Sequence, residues 1–275
     1  MPLTSQPLLA CAQLELSWVH AQGSASFARH THDEYVLGAN LRGAEQIWLD
    51  GRELAVPAQR VTLYNPLAVQ ASTFGPDGVE YISLHLATDT LRQVIGDNNL
   101  RSTDQPPAFE QGILEHPGLF AALLDLARAD AGEREQALLL LVAQLLEQPT
   151  VTPGEQSLAV SRSLAAMNAN LDSRLELEQL AQLAGLSKYH YARCFKKATG
   201  LGPLQYHMQL RLIEARRRLR AGQHPQDVAL GLGFYDQSHF IGAFRRVHGV
   251  TPQHYATHYK GGAARMTGSH HTNTH

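Results

Sequence analysis

Residues 187–206, SKYHYARCFKKATGLGPLQY, and residues 236–255, DQSHFIGAFRRVHGVTPQHY, carry one arrangement of side chains twice. From Ser187 the offsets 8, 13, 16 and 19 reach Phe195, Gly200, Pro203 and Tyr206, and from Asp236 they reach Phe244, Gly249, Pro252 and Tyr255. A basic pair follows each phenylalanine, Lys196-Lys197 and Arg245-Arg246. Helical spacing turns Tyr191, Cys194 and Phe195 inward in the first copy, and Phe240, Ala243 and Phe244 in the second. Ser187, Lys188, Tyr189, His190, Ala192, Arg193, Lys196 and Lys197 are left outward or lateral, as are Gln237, Ser238, His239, Arg245 and Arg246. These residue types suit polar edges and anions. Arg193 can donate two hydrogen bonds to guanine O6 and N7, worth about 1–3 kcal/mol of discrimination, and Gln237 can pair with an adenine edge. Tyr189 can meet a thymine methyl or a sugar. The basic pairs, with the helix N-termini, suit phosphates. The reading predicts double-stranded DNA as a partner.

The elements that must position these groups are legible around them. Gly185 and Gly233 fit the position after a helix end that needs positive φ, and Ser187 and Asp236 fit N-caps. Ala181 and Ala229 suit a close helix crossing. Together these make two helix-turn-helix units, whose second helices present their N-terminal halves to a groove. Between them a helix of about 18 residues from Pro203 spans about 27 Å, of the order of the roughly 34 Å between successive major-groove segments. Its run Arg216-Arg217-Arg218 with Arg220 is expected to reach phosphates in part, with some stems covering the core. Any one exposed arginine or lysine is most simply a solvated surface charge. What argues otherwise is that turn, cap, charge and duplication agree.

The rest of the chain has a different character. The net charge of −2 hides 14 Lys and Arg against 6 Asp and Glu in residues 159–260, and 9 against 19 elsewhere. Short, partly alternating runs at 14–21, 25–32, 34–41, 45–51, 53–57, 60–65 and 79–87 predict antiparallel strands of a barrel or sandwich. Leucine spacing then predicts helices over about 117–129 and 133–147. The second is apolar on more than one face, which predicts a homodimer contact. Two prolines and a glycine mark a linker at 149–156, and 261–275 is expected to be a disordered tail. Cys11 and Cys194 form no metal pair or disulfide framework. No stretch approaches a membrane span or a secretory leader, so a cytoplasmic protein is expected. No catalytic triad, phosphate loop or carboxylate pair calls for an enzyme.

The block from Leu177 through GFYDQSHFIGAFRRVHGVTPQHY resembles the AraC/XylS family of bacterial transcription regulators over about residues 157–260. The resemblance implies a seven-helix DNA-binding domain with two helix-turn-helix units, an RNA polymerase contact and activation of transcription. Ala192 stands where members often carry a polar base reader, and Ile241-Gly242 replaces a common Ser-Arg pair. The first unit is therefore expected to carry most sequence readout, and the second mainly phosphate and shape contacts.

The segment HTHDEYVLGANLRG is similar to the cupin-like effector domain of such regulators. The fold implied is α+β: a cupin-like antiparallel β-barrel over about 12–88 with helices to 148, then an all-α domain. A small-molecule effector is expected in the barrel, against His30, His32, Glu34, Tyr35 and Trp48. Strand period puts His30, His32 and Glu34 on one face and Tyr35 on the other unless a bulge intervenes. A metal-binding cupin would follow HxH with a glutamate three or four residues on, where Val36 and Leu37 stand, and with a downstream histidine near Gln70. No metal or other cofactor is therefore expected. A cupin metalloenzyme fused to a DNA-binding domain, and a first domain that only dimerises, are the alternatives.

Overall fold

The computed structural model describes residues 3–11, 14–100, 106–151 and 158–257. The chain divides into two compact units, Met1–Pro153 and Gly154–His275. Most of the expected linker and all of the expected tail lie outside the described residues.

The first unit is built on an antiparallel ribbon of two long strands. β1 (Leu3–Cys11), β2 (Leu14–Ala21) and β3 (Ala25–His30) precede β4 (Tyr35–Leu49), and β5 (Arg52–Val56) and β6 (Val61–Tyr64) lie between it and β7 (Gln70–Leu86). β4 and β7 pair along their length with register shifts at Asn40/Arg42 and Gly43/Glu45, where the partner jumps from Val79 to Phe74. The segment Gly75–Gly78, which reads as a turn, is thus an excursion inside one strand. Likewise the two strands expected at 34–41 and 45–51 are one. Bulges bend a strand without ending it, so the ribbon has two halves. One is flanked by β2 and β6, the other by β3 and β5. The order β1-β2-β7-β4-β6-β8, with β8 at Gly112–Leu114, leaves β1 and β8 as edges, so the sheet is open rather than a closed barrel.

The bend needs glycine. Gly43 and Gly78 have φ of +80° and +75°. A Cβ on Gly43 would run into the carbonyl oxygen of Gly78, and one on Gly78 into that of Ala21. Gly43→Ala should therefore cost about 2–4 kcal/mol, from left-handed strain plus overpacking, read as a lower urea midpoint with m unchanged.

Alternation separates the two faces. Leu14, Leu16, Tyr35, Leu37, Ala39, Ile82, Leu84 and Leu86 pack with Leu119, Leu123, Leu141, Val142 and Leu145 of the helices. Those helices are α1 (Thr88–Asp97), where no element was expected, α2 (Pro117–Arg128) and α3 (Arg134–Leu146). The other face carries small clusters at Val36, Ile47, Leu49, Val56 and Tyr64, and at Ala21, Phe74 and Val79.

The second unit is helical: α4 (Leu158–Ala169), α5 (Leu177–Leu183), α6 (Lys188–Thr199), α7 (Pro203–Arg220), α8 (Pro225–Gly231), α9 (Gln237–His248) and α10 (252–257). Among the described residues it has seven helices. Among those residues, no helix is long and apolar enough to cross a membrane.

Candidate functional site

The two helix-turn-helix units form as their sequence repeat implies. Gly185 and Gly233 take φ of +67° and +63°. The Ser187 side chain accepts from the amide of His190 at 3.4 Å, and Asp236 Oδ1 from that of His239 at 2.6 Å. Gly200 and Gly249 close α6 and α9 in the left-handed conformation. Ala181 and Ala229 are buried at the crossings. The repeated tyrosines also have one job. Tyr206 packs on Phe195, and Tyr255 on Phe244, each with ring centroids 5.6 Å apart.

This packing fixes the outer face. Tyr191, Phe195, Phe240 and Phe244 are buried, while Cys194 and Ala243 are only half-buried at the flank. Ser187, Lys188, Tyr189, His190, Arg193, Lys196 and Lys197 are exposed, with Ala192 half-buried. In α9, Gln237, Ser238, His239, Arg245 and Arg246 are exposed, as is Gly242. Lys188 Nζ lies 3.3 Å from Glu178 of α5, and His239 packs on Phe234. Tyr235, in the second turn, is 93% exposed.

The arginines of α7 divide: some stems cover the core, as expected, and Arg217 stays exposed. Arg216 is buried over the Tyr255 ring, and Arg220 Nε donates to Tyr255 Oη at 2.8 Å. Arg217 and Arg218 both bind Glu214, whose carboxyl their hydrogen bonds hold below its ordinary range. Arg218 also donates to the Gly231 carbonyl. Arg216 and Arg220 thus turn to an acceptor from the end of the unit, while exposed Arg217 pairs within its own helix.

Two further residues of α7 anchor the second unit. Arg211 donates to the carbonyls of Ser173, at 2.5 Å, and Gly233, at 3.3 Å. One turn earlier, His207 Nε2 meets the Asn170 carbonyl at 2.9 Å, so that nitrogen carries the proton. Burial, then the Arg211 charge, hold the His207 imidazole below its ordinary value of 6.5, against the pull of the Asn170 bond. The unfolded chain thus takes up the second proton first. Stability from the neutral ring is complete above about pH 6.5 and is lost as pH falls through the lowered folded value. The urea midpoint should drop as pH falls below about 7, and His207→Gln should flatten that slope.

In the first unit, His30, His32 and Glu34 are buried, with His32 and Glu34 in the connection after β3 rather than on a strand. The His30 and His32 rings are 4.9 Å apart, and His85 of β7 joins them, 4.6 Å from the His32 ring with Nδ1 3.3 Å from Glu34 Oε2. Two expected members lie elsewhere. Tyr35 packs on Phe109 in the core under the helices, and its hydroxyl donates to the Pro107 carbonyl at 2.6 Å. Trp48 alternates with buried Ile47 and Leu49, so it points to the other face of β4, where the Arg29 guanidinium lies 3.8 Å over its ring.

Unexpected members complete the inner face. Rings run in contact from His85 through His32, His30, Phe27 and Phe74 to Tyr81. Glu45 is buried near Tyr64 and Tyr81, and burial pushes its carboxyl up to about 6 against a hydrogen bond from Ser72. Strand phase was the available signal for these residues, but it needs the β4–β7 register.

Residues 18–184 match the AraC-like ligand binding domain, and residues 180–258 match a helix-turn-helix domain. The chain is 27% identical to the uncharacterised HTH-type transcriptional regulator YbfI of Bacillus subtilis, over 78% of this chain and 81% of that one. It is 31% identical to the HTH-type transcriptional activator RhaS of Pectobacterium carotovorum, over 48% of this chain and 50% of that one. The chain therefore spans most of the first relative but about half the length of the second. Its fold is similar to that of ToxT from Vibrio cholerae O395, with a TM-score of 0.57 and 11% identity over 90% of this chain and 99% of that one. With a ligand-binding domain before two capped helix-turn-helix units, the chain belongs to the AraC family of DNA-binding transcriptional regulators.

Proposed function

We propose that this regulator reads its operator mainly through α6, with Arg193 on a guanine and Tyr189 and His190 beside it. The remaining outer residues, Ser187, Lys188, Ala192, Lys196 and Lys197, form the rest of that contact. In α9, Gln237, Ser238 and His239 meet the groove while Arg245 and Arg246 hold phosphates. The observation that carries this reading is the matched outer face of α6 and α9, exposed on two identically capped helices. Residues 157–260 act as the DNA-binding module, residues 1–148 as the effector and dimerisation module, and 149–156 as the linker. The effector enters the inner face of the sheet, where His30, His32 and Glu34 stand with Phe27, Phe74, Tyr81 and Glu45. Trp48 and Tyr35 serve the scaffold instead.

The output is activation through RNA polymerase in the bacterial cytoplasm, a reading supported by the activator RhaS among the relatives. Dimerisation is assigned to α3, where Leu140 is 54% exposed beside half-buried Leu138 and Leu139. The relatives are regulators, which favours a regulator over an enzyme here. Gel-shift titrations at several salt concentrations test the DNA contact. Lys197→Ala should weaken all sequences alike and reduce the slope of log K against log salt by about 1. An unchanged slope in Lys197→Ala and Arg246→Ala alike would remove both from the interface.

A further inference from the structure

Glu34 is a buried carboxylate set among imidazoles. Each of His32, Glu34 and His85 offers a ligand atom, and these atoms all lie within 4.8 Å of one another. The three come from two separate places. His32 and Glu34 follow β3 in the connection to β4, and His85 sits near the end of β7, opposite Val36 of β4 and Glu15 of β2. The ligands therefore need only the paired β4–β7 ribbon to meet. The glutamate register after His30-Thr31-His32 holds Val36 and Leu37, and Gln70 stands at the downstream histidine position. Reading along the chain, the set is incomplete. Glu34, two residues after His32, supplies a carboxylate, and strand pairing supplies a further imidazole, His85.

We propose that His32, Glu34 and His85 bind one divalent transition-metal ion of the zinc class. Two imidazoles and a carboxylate are a donor set such ions take, leaving a fourth position for water or another donor. A tetrahedral ion with bonds of about 2.1 Å holds its ligand atoms about 3.4 Å apart. The Glu34 and His85 atoms already stand 3.3 Å apart, so small rotations of the side chains close the set. His30 supports the site from beside it. Its Nδ1 lies 2.7 Å from the Ala28 carbonyl, which can only accept, so in the neutral ring the lone pair sits on Nε2. That the fourth position takes an effector donor atom rests on the effector reading above; the metal site itself does not.

The test uses full-length protein in which His270, His271 and His275 are alanine, washed with chelator and titrated with Zn²⁺ by calorimetry, without DNA or effector. One ion should bind per chain. His85→Gln and Glu34→Gln should each weaken it by more than the roughly 10–100-fold that losing an outer-shell partner costs. Co²⁺ loaded into the same unmutated site should show the intense visible bands of a four- or five-coordinate ion, a readout that does not depend on any variant folding. Binding that disappears with the tail histidines, an adventitious ion only, would overturn the proposal. So would unchanged affinity in His85→Gln, or a Co²⁺ spectrum like that of the hydrated ion. Any of these three negatives leaves the effector and DNA readings standing.

Discussion

Gly233→Ala is expected to cost the DNA-binding unit about 2–5 kcal/mol, while Gly185→Ala, the same change in the same motif, costs about 1–2 kcal/mol. Both glycines have positive φ, so both substitutions pay the left-handed strain. Only one also pays for space. A Cβ on Gly185 meets nothing within 4 Å, whereas one on Gly233 would run into the backbone carbonyl of Asp172, with the Arg211 guanidinium close behind. Asp172 belongs to the connection between α4 and α5 that Arg211 ties down through Ser173, so it cannot give without releasing that buried arginine. Urea denaturation of the two variants should separate their midpoints clearly. Equal losses would mean that the second turn is not packed as described.

That asymmetry marks the limit of what the sequence discloses. Glycine, cap, inward phenylalanine and distal tyrosine recur at fixed offsets, and each records a local demand of a helix end or a helix face. Local demands are legible because a few neighbours satisfy them. The neighbours of Gly233 are not local: Asp172 is 61 residues earlier in the chain. Which arginines of α7 would turn inward was hidden for the same reason. A basic run reads as a surface, and nothing within a turn or two announces that Tyr255 will return to receive Arg216 and Arg220. In the first unit the strands were legible but their joins were not. A Gly-Pro-Asp-Gly run is compatible with both a turn and an excursion within one strand, and the register of β4 on β7 decides. That register brings His85 to His32 and Glu34, and it sends Trp48 to the opposite face.

Arg193→Ala is expected to produce the largest change in recognition. It should cost about 1–3 kcal/mol against the preferred operator and much less against duplexes altered at the one base pair it is proposed to read, so that discrimination there collapses. Arg245→Ala and Arg246→Ala should instead lower affinity for every duplex by a common factor. The contrast follows from position: Arg193 lies in the first half of its helix, and the arginine pair lies in the last turn of α9. The α9 residue that would stand level with Arg193 is Gly242, which is exposed and has no side chain to reach a base. Gly242→Arg, whose Cβ would meet nothing within 4 Å, is the complementary gain-of-contact variant.

Selection of bound sequences from a randomised duplex pool by the full-length protein tests the division of labour between the two helices most directly. Two segments about one helical turn apart should emerge, as two reading helices in successive major grooves require. One should be strongly specified, with a position that loses its preference when Arg193→Ala replaces the wild type. The other should be weakly specified and unaltered by that change. Two equally specified segments, with the preferences of both intact in Arg193→Ala, would contradict the assignment of sequence reading to α6.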